Sequence, residues 1–260
     1  MGLTVEEFQP APPLHGVVHR VADFHERAAA PLRRLESPLA GVVLIVNLGP
    51  DMEIDGRPTG SFVAGVWDRP TVTGHYGEQA GYQLYLDLIE ARRLLGVPAP
   101  ELANRLVPLE EALGNAPAIE LQERLAEAKD ANDRHAIAQR LLAARLSDQP
   151  AARPEISHAV NRLRATKGSA SIETLASELG WSRRHLSARF REAVGLPPKA
   201  LARLIRIEHA AQRVRAGNPL ADIAYETGYA DQSHFNRDFR ELVGCTPTQF
   251  PFVQDMPAAA

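Results

Sequence analysis

Two stretches in the last third of the chain repeat one another, and a duplication of this kind constrains the fold more than any other feature of the sequence. Leu175-Ala176-(x)3-Gly180-(x)5-Leu186-(x)3-Phe190 is echoed by Ile223-Ala224-(x)3-Gly228-(x)6-Phe235-(x)3-Phe239. The glycines stand 48 positions apart and the closing phenylalanines 49, so the copies stay in step apart from one inserted residue. Leu186, Phe190 and Val194 fall at i, i+4, i+8, as do Phe235, Phe239 and Val243, which predicts one buried stripe along each of two helices. A shorter helix is predicted ahead of each stripe, the first capped by Ser171 and the second by Asn218 with Pro219 at its first position. Gly180 and Gly228 are placed to end those helices with positive φ, and Ser182 and Asp231 to cap the helices that follow. The product is two helix-turn-helix units. Between them Lys199 to Ala216 runs without a breaker, with Leu201, Leu204, Ile205, Ala211 and Val214 at helical spacing, and predicts a rigid spacer helix. Two recognition helices held by one stiff rod suit successive major grooves, roughly 34 Å apart on one face of a duplex.

Charge is distributed to match. The 260 residues carry a net charge of −3, but residues 1–150 hold 14 Lys+Arg against 21 Asp+Glu, whereas residues 151–260 hold 15 against 11. The basic half is the half with the repeat, as phosphate neutralisation requires. A hydrophobic content of 45% suffices for packed cores, and the length exceeds that of most single domains.

The repeat resembles the AraC/XylS family of transcription regulators over roughly Glu155 to Phe250. The resemblance lies in Leu175-Ala176 and Gly180-Trp181-Ser182-Arg183-Arg184-His185-Leu186-Ser187-Ala188-Arg189-Phe190, then Gly195-Leu196-Pro197-Pro198-Lys199 and Arg206-Ile207-Glu208-His209-Ala210. Its most specific part is Ile223-Ala224-(x)3-Gly228-Tyr229-Ala230-Asp231-Gln232-Ser233-His234-Phe235-Asn236-Arg237-Asp238-Phe239-Arg240, closed by Val243-Gly244-Cys245-Thr246-Pro247. The resemblance implies a sequence-specific regulator, more often an activator, with double-stranded DNA as partner, and RNA polymerase as well if it activates. It also implies base reading at the positions of Arg184, Ser187 and Ala188, where Ala188 replaces an arginine common in the family, and a basic residue at Arg206 for a phosphate or a neighbouring acid.

Chemistry gives each of these a task. Arg184 suits the O6 and N7 of guanine, with Ser182, Arg183 and Ser187 beside it, and Ala188 offers only a methyl contact to thymine. With Phe235 and Phe239 inward, Gln232, Ser233, Asn236 and Arg237 are expected outward: Gln232 and Asn236 suit adenine, Arg237 guanine or phosphate. Solvation of a polar face is the plain alternative for each.

Ahead of the repeat, Gly41 to about Tyr85 holds short Val-, Ile-, Tyr- and Thr-rich segments between turn signals at Gly49-Pro50-Asp51 and Asp55-Gly56-Arg57. Strands are predicted at 41–49, 61–66 and 71–76, a short helix from Ala91, and two helices between Leu113 and Ser147 broken near Asp130 to Asp133. The fold class is therefore α+β: an N-terminal β-sandwich or barrel with flanking helices, then an all-α domain of two helix-turn-helix units joined by a rigid helix. The expected divisions are 1–149, a linker at 150–154, and 155–253. Arg69-Pro70, His75, Gly81-Tyr82-Gln83-Leu84 and Arg92 to Pro98 resemble, over about Leu32 to Leu113, a subgroup of the same family with a cupin-like sensor domain. That implies a small-molecule effector, with Trp67, His75, Tyr76 and Tyr82 as candidate pocket residues; Phe62, Tyr85 and these aromatics otherwise read as core. Leu121, Leu125, Ile137, Leu141, Leu142 and Leu146 suit either a homodimer contact or packing on the chain's own β-domain.

Other functions find less support in the residues. A metal cupin needs a His-x-His pair followed by Glu, and the barrel segment has the lone His75; His15, His19 and His25 lie in a Pro-containing leader and read as surface residues. No metal or cofactor is expected. An enzyme on a cupin-like domain with an accessory DNA-binding domain is the alternative, but no nucleophile and base stand together. A methyl-accepting repair protein needs a reactive thiolate, and the single cysteine, Cys245, sits in a closing turn where packing explains it. The longest apolar run, Leu39 to Val46, falls short of a membrane span, and Glu6 and Glu7 stand where a signal peptide would be basic, so no membrane partner and a cytoplasmic location are expected.

Overall fold

The computed structural model describes residues 2–36, 39–147 and 152–250, with the backbone of Met256–Pro257. Its first half supplies eight strands of a nine-stranded sheet with antiparallel pairing between the strands, β1 (Gly2–Phe8), β2 (Val18–Glu36), β3 (Val42–Asn47), β4 (Met52–Ile54), β5 (Arg57–Thr59), β6 (Phe62–Ala64), β7 (Thr71–Leu86) and β8 (Leu106–Pro108); the ninth, β9 (Met256–Pro257), comes from near the C-terminus and pairs with β2. The main path runs β1-β2-β7-β3-β6-β8, with the β4–β5 hairpin on β7. Short helices α1 (Arg92–Leu95), α2 (Ala99–Leu102) and α3 (Leu109–Leu113) follow, then α4 (Asn115–Ala126) and α5 (Ala131–Ala143). Asp130 opens α5 by accepting from the Asp133 amide, at the predicted break.

The sheet departs from expectation at its start. Most of the segment that reads as a Pro-containing leader, including His19 and His25, lies in the 19-residue strand β2. Two features hide it in the sequence. Asp23 and Glu26 are buried in it, each held by an arginine: Arg134 Nε donates to Asp23 at 2.6 Å, and Arg34 pairs with Glu26. Pro31 falls inside the register break between Ala28 and Leu32, where a missing N–H leaves no ladder bond unmade. His15, His19 and His25 are exposed, as expected.

Side chains alternate across the sheet. Leu44 and Val46 of β3 join the main core, while Val43 and Ile45 face the other side and pack with Ile54, Phe62 and Leu106. The helices cover the first side, and their leucines go there: Leu121, Leu125 and Leu142 are buried in the main core, and Ile137, Leu141 and Leu146 pack against it.

The second half is helical: α6 (Pro154–Ala165), α7 (Ile172–Glu178), α8 (Arg183–Val194), α9 (Pro198–Arg215), α10 (Leu220–Glu226) and α11 (Gln232–Val243). Of the expected linker, residues 150–151 lie outside the described residues and Pro154 already opens α6; residues 251–253 of the expected second domain also lie outside them. The main core runs on without interruption into this half through Ile156, Leu163, Leu175, Leu186, Phe190 and Leu204. The second unit instead has a core of its own, built on Ile207, Val214, Ile223, Phe235, Phe239 and Phe250.

Candidate nucleic-acid interface

The duplication holds down to single hydrogen bonds. In each unit a seven-residue helix is followed by a twelve-residue one, α7 by α8 and α10 by α11. Gly180 and Gly228 take φ +66° and +75°, a region closed to most side chains. The next amide reaches back five residues, Trp181 N–H to Ala176 O at 2.8 Å and Tyr229 N–H to Ala224 O at 2.9 Å, closing the helix end in the same way twice. Ser182 Oγ accepts from His185 N at 3.1 Å, and Asp231 Oδ1 from His234 N at 2.7 Å. Even the ring contacts repeat, Trp181 edge-on to His185 and Tyr229 to His234. The inserted residue sits in the second turn, which runs Gly228-Tyr229-Ala230-Asp231 against Gly180-Trp181-Ser182.

Two details differ from expectation. Ser171 caps α7 by accepting from Glu173 and Thr174, but α10 begins one residue late: Pro219 holds the cap position, Asn218 lies outside it, and no side chain caps the helix. Pro219 fits there because its missing N–H and fixed φ suit a helix entry.

Both stripes face inward, with Leu186, Phe190, Val194, Phe235, Phe239 and Val243 fully buried. That leaves Ser182, Arg183, Arg184 and Ala188 exposed on α8, and Gln232, Ser233 and Arg237 exposed on α11. Arg183, Arg184 and Arg237 form no ion pair among the described residues. With Ser182 aligned to Asp231, Arg184 matches Ser233 and Ala188 matches Arg237, so each unit presents an arginine one helical turn displaced from the other's.

Asn236 is a correction. It was expected outward, yet it is half-buried, and its Oδ1 is enclosed without a hydrogen-bond partner. Its counterpart Ser187 is half-buried too. Both lie one residue after the first member of the stripe, about 100° round the helix, at the edge of the packed face. Arg206 pairs with no acid among the described residues; its guanidinium stacks over the Tyr229 ring at 5.2 Å.

The spacer α9 is 18 residues long, or about 27 Å at 1.5 Å per residue. Cations fasten the second unit to it. Arg203 donates to Asp238 (3.0 Å) and Glu241 (2.6 Å) of α11, and Arg213 pairs with Glu226 of α10. Tyr229 adds a hydrogen bond to Asp238 at 3.2 Å, with burial pushing its phenol well above the usual range.

The C-terminal ends of both recognition helices rest on the β-rich half. Gly195 ends α8 with φ +87°, and a Cβ there would lie 2.6 Å from Ala103 Cβ and 3.0 Å from Pro100 Cα. Gly244 ends α11 with φ +90°, and a Cβ there would lie 2.9 Å from Pro70 Cβ. Further contact comes from Arg164 of α6, which pairs with Asp87 and donates to Ala40 O at 3.3 Å, and from Glu208 of α9, whose Oε2 accepts from Ala40 N at 3.2 Å. Burial works against the Asp87 charge, but the hydrogen bond from His19 and the Arg164 guanidinium outweigh it and hold the carboxyl well below the usual range. Desolvation pushes the Glu208 carboxyl up.

Residues 175–251 match the family described as a helix-turn-helix domain. This part of the chain is an AraC-type domain. Over 81 residues the chain is 35% identical to the putative HTH-type transcriptional regulator YkgA of Escherichia coli (strain K12), covering 31% of this chain and 34% of that protein. Over 99 residues it is 32% identical to the RCS-specific HTH-type transcriptional activator RclR of the same strain, covering 37% of this chain and 35% of that one. An uncharacterized HTH-type transcriptional regulator of Staphylococcus aureus is 32% identical over 81 residues, 31% of this chain and 11% of that protein. The chain thus spans about a third of the length of the first two relatives and a ninth of the last. Among solved structures, ToxT from Vibrio cholerae is similar over 90% of this chain and 98% of its own, with a TM-score of 0.52 and 10% identity, a likeness of fold that takes in the sheet as well as the AraC-type units.

The candidate pocket residues are not brought together. Trp67 lines a half-open cleft of about 780 Å³ between the β4–β5 hairpin, the loop ahead of β7 and the start of β8. Tyr76 is 67% exposed on the sheet surface, where alternation in β7 turns it outward. His75 is buried 3.5 Å from Glu26 with Arg34 beside it; burial, partly offset by Glu26, keeps its pKa low. Tyr82 is fully buried, its hydroxyl 2.9 Å from His135 Nδ1. Arg57 at the start of β5 and the loop residues Arg69 and Arg105 also line the cleft, and no periodicity in the sequence singles them out. Among the described residues no three His, Cys, Asp or Glu side chains are grouped to hold a metal. Cys245 is buried, which pushes its thiol up, away from a reactive thiolate. No helix of the described residues is long and apolar enough to cross a membrane.

Proposed function

We propose that the chain is a sequence-specific transcription regulator in which α8 and α11 enter successive major grooves of double-stranded DNA and the β-rich half senses a small-molecule effector. The observation that carries this reading is the exact pairing of two capped recognition helices, each with an arginine left free on its outer face, Arg184 and Arg237. We assign base contacts to Arg184, Gln232, Ser233 and Arg237, and positioning contacts to Ser182, Arg183 and Ala188; Ser187, Asn236 and Arg206 support the edge of the interface. We place the division between the two halves near residues 150–154. Activation is the preferred sign, by analogy with the activator RclR, and RNA polymerase is then a partner. A homodimer is not needed for two-groove contact, because one chain carries both units and the helix leucines are taken up by its own core.

The test is a binding titration on a promoter fragment. Between about 50 and 200 mM salt, specific affinity should fall tens-fold or more, because several phosphates are neutralised. Arg184→Ala combined with Arg237→Ala should abolish the footprint while leaving weak, salt-sensitive binding. An unchanged footprint in the double variant would refute the assignment of reading residues.

A further inference from the structure

Charge is sorted around the spacer helix α9. Arg206, His209 and Arg213 fall at i, i+3 and i+7 and stand in line on one face, over about 10 Å of helix. Two segments close on that line. The loop between α6 and α7 packs so tightly that a Cβ at Gly168 would lie 2.2 Å from Ala202 O and 2.8 Å from Arg206 Cγ, and it brings Lys167 close to His209. From the second unit, Tyr229 lies under the Arg206 guanidinium and Glu226 pairs with Arg213. The charged groups acting on His209 are Lys167 and Arg213 against Glu226, with Arg206 one turn before it on α9. Other acids nearby are turned away or taken: Glu208 accepts from Ala40 N, and Asp238 and Glu241 hold Arg203. Lys167 is exposed and forms no ion pair among the described residues, and Arg206 Nε and Arg213 Nε are enclosed donors with no partner. The cluster is short of acceptors. Desolvation first, then Lys167 and Arg213, hold His209 below the ordinary imidazole range against the pull of Glu226. A seated anion would favour its protonated form.

The cluster stands between the two units. The loop of Lys167 and Gly168 runs into Ser171, the cap of α7, and Tyr229 stands in the turn that opens α11. In a helix-turn-helix unit the first helix crosses the sugar–phosphate backbone and the turn opens onto the groove, so both segments border the duplex. With α8 and α11 in successive major grooves, the strand that separates those grooves passes in front of α9. A strand carries one phosphate per roughly 3.4 Å of axis, so the line of cations spans more than one.

We infer that Lys167, Arg206, His209 and Arg213 form a phosphodiester-binding site for the DNA strand between the two major grooves, and that His209 takes up a proton when that strand is seated. The inference rests on the regulator reading above and adds a contact that belongs to neither recognition helix. The experiment titrates the full chain with a duplex selected from a random pool, across about 50 to 200 mM salt and from about pH 7.5 to about pH 6. Affinity of the unsubstituted chain should rise about threefold or more as pH falls over that range, because binding favours the charged imidazole. His209→Gln should lose that rise; His185 and His234, exposed on the recognition helices, remain in both proteins, so the difference isolates His209. Lys167→Gln should lower the slope of log affinity against log salt by about 1 without altering the bases preferred. Slope and pH profile are ratios within one protein, so a general loss of stability does not imitate them. A rise retained in His209→Gln, or a slope unchanged in Lys167→Gln, overturns the site. Saturable binding of inorganic phosphate to the chain alone, lost in Lys167→Gln, would mark a free-anion site and also overturn it. A chain that selects no sequence would overturn the regulator reading and this contact with it, whereas specific binding indifferent to both substitutions overturns the contact alone.

Discussion

Single residues decide what the two units can read. Arg184 and Arg237 occupy non-equivalent positions, one matched by Ser233 and the other by Ala188. The duplication is therefore one of fold, with the exposed arginines on different turns of the two helices. Arg237→Ala should cost about 1–3 kcal/mol of specific binding and relax the choice of one base pair. Asn236→Ala, at the half-buried edge, should change affinity less than about threefold; fluorescence anisotropy on a short duplex compares them. The exposure of Gln232, Ser233 and Arg237 is legible in the sequence, because the Phe235-Phe239 stripe fixes which side of α11 is outside. The half-burial of Asn236 and Ser187 is not legible there, because 100° from the stripe is neither face, and packing at that margin depends on neighbours the sequence does not order. His75 and Tyr76 are neighbours on β7 and face opposite sides of it, so both cannot line one pocket.

At the scale of elements, the turns and caps of the AraC-type units could be read almost residue by residue, since glycine, serine and aspartate there have local backbone reasons to be where they are. Strand β2 could not, because what makes Asp23 and Glu26 acceptable inside a sheet is Arg134, more than a hundred positions away, and Arg34 across the bulge. The helix-ending glycines separate a local from a tertiary effect. Gly228 and Gly244 both hold positive φ, but a Cβ at Gly228 would meet nothing within 4 Å, whereas one at Gly244 would press on Pro70. Gly228→Ala should cost about 1–2 kcal/mol for the left-handed backbone alone. Gly244→Ala should cost more and should also loosen the contact with Pro70. Urea denaturation of both variants, with hydrogen exchange at residues 69–71, distinguishes the two effects.

Across the whole molecule, the β-rich half and the first unit share a core, while the second unit hangs on α9 with a core of its own. Two carboxylates at the junction, Asp87 buried and Glu208 half-buried, respond to pH in opposite senses. Asp87 is held low, so its stabilisation is complete above the ordinary carboxylate range, about pH 4, and is lost as pH falls below it toward the folded value. Glu208 is held high, so the cost of its charge sets in as pH rises above that same range. At neutral pH Asp87→Asn should destabilise by on the order of 2 kcal/mol, by leaving Arg164 without its counter-charge. Glu208→Gln should leave stability unchanged or raise it, because the amide oxygen still accepts from Ala40 N. Thermal unfolding across pH 3 to 7 checks both signs. Selection of bound sequences from a random duplex pool tests most directly whether the two units act together on DNA. Two short informative segments about one helical turn apart should be enriched, each losing its information when the arginine of its own unit is replaced. A recovered pool no different from the starting one would contradict it.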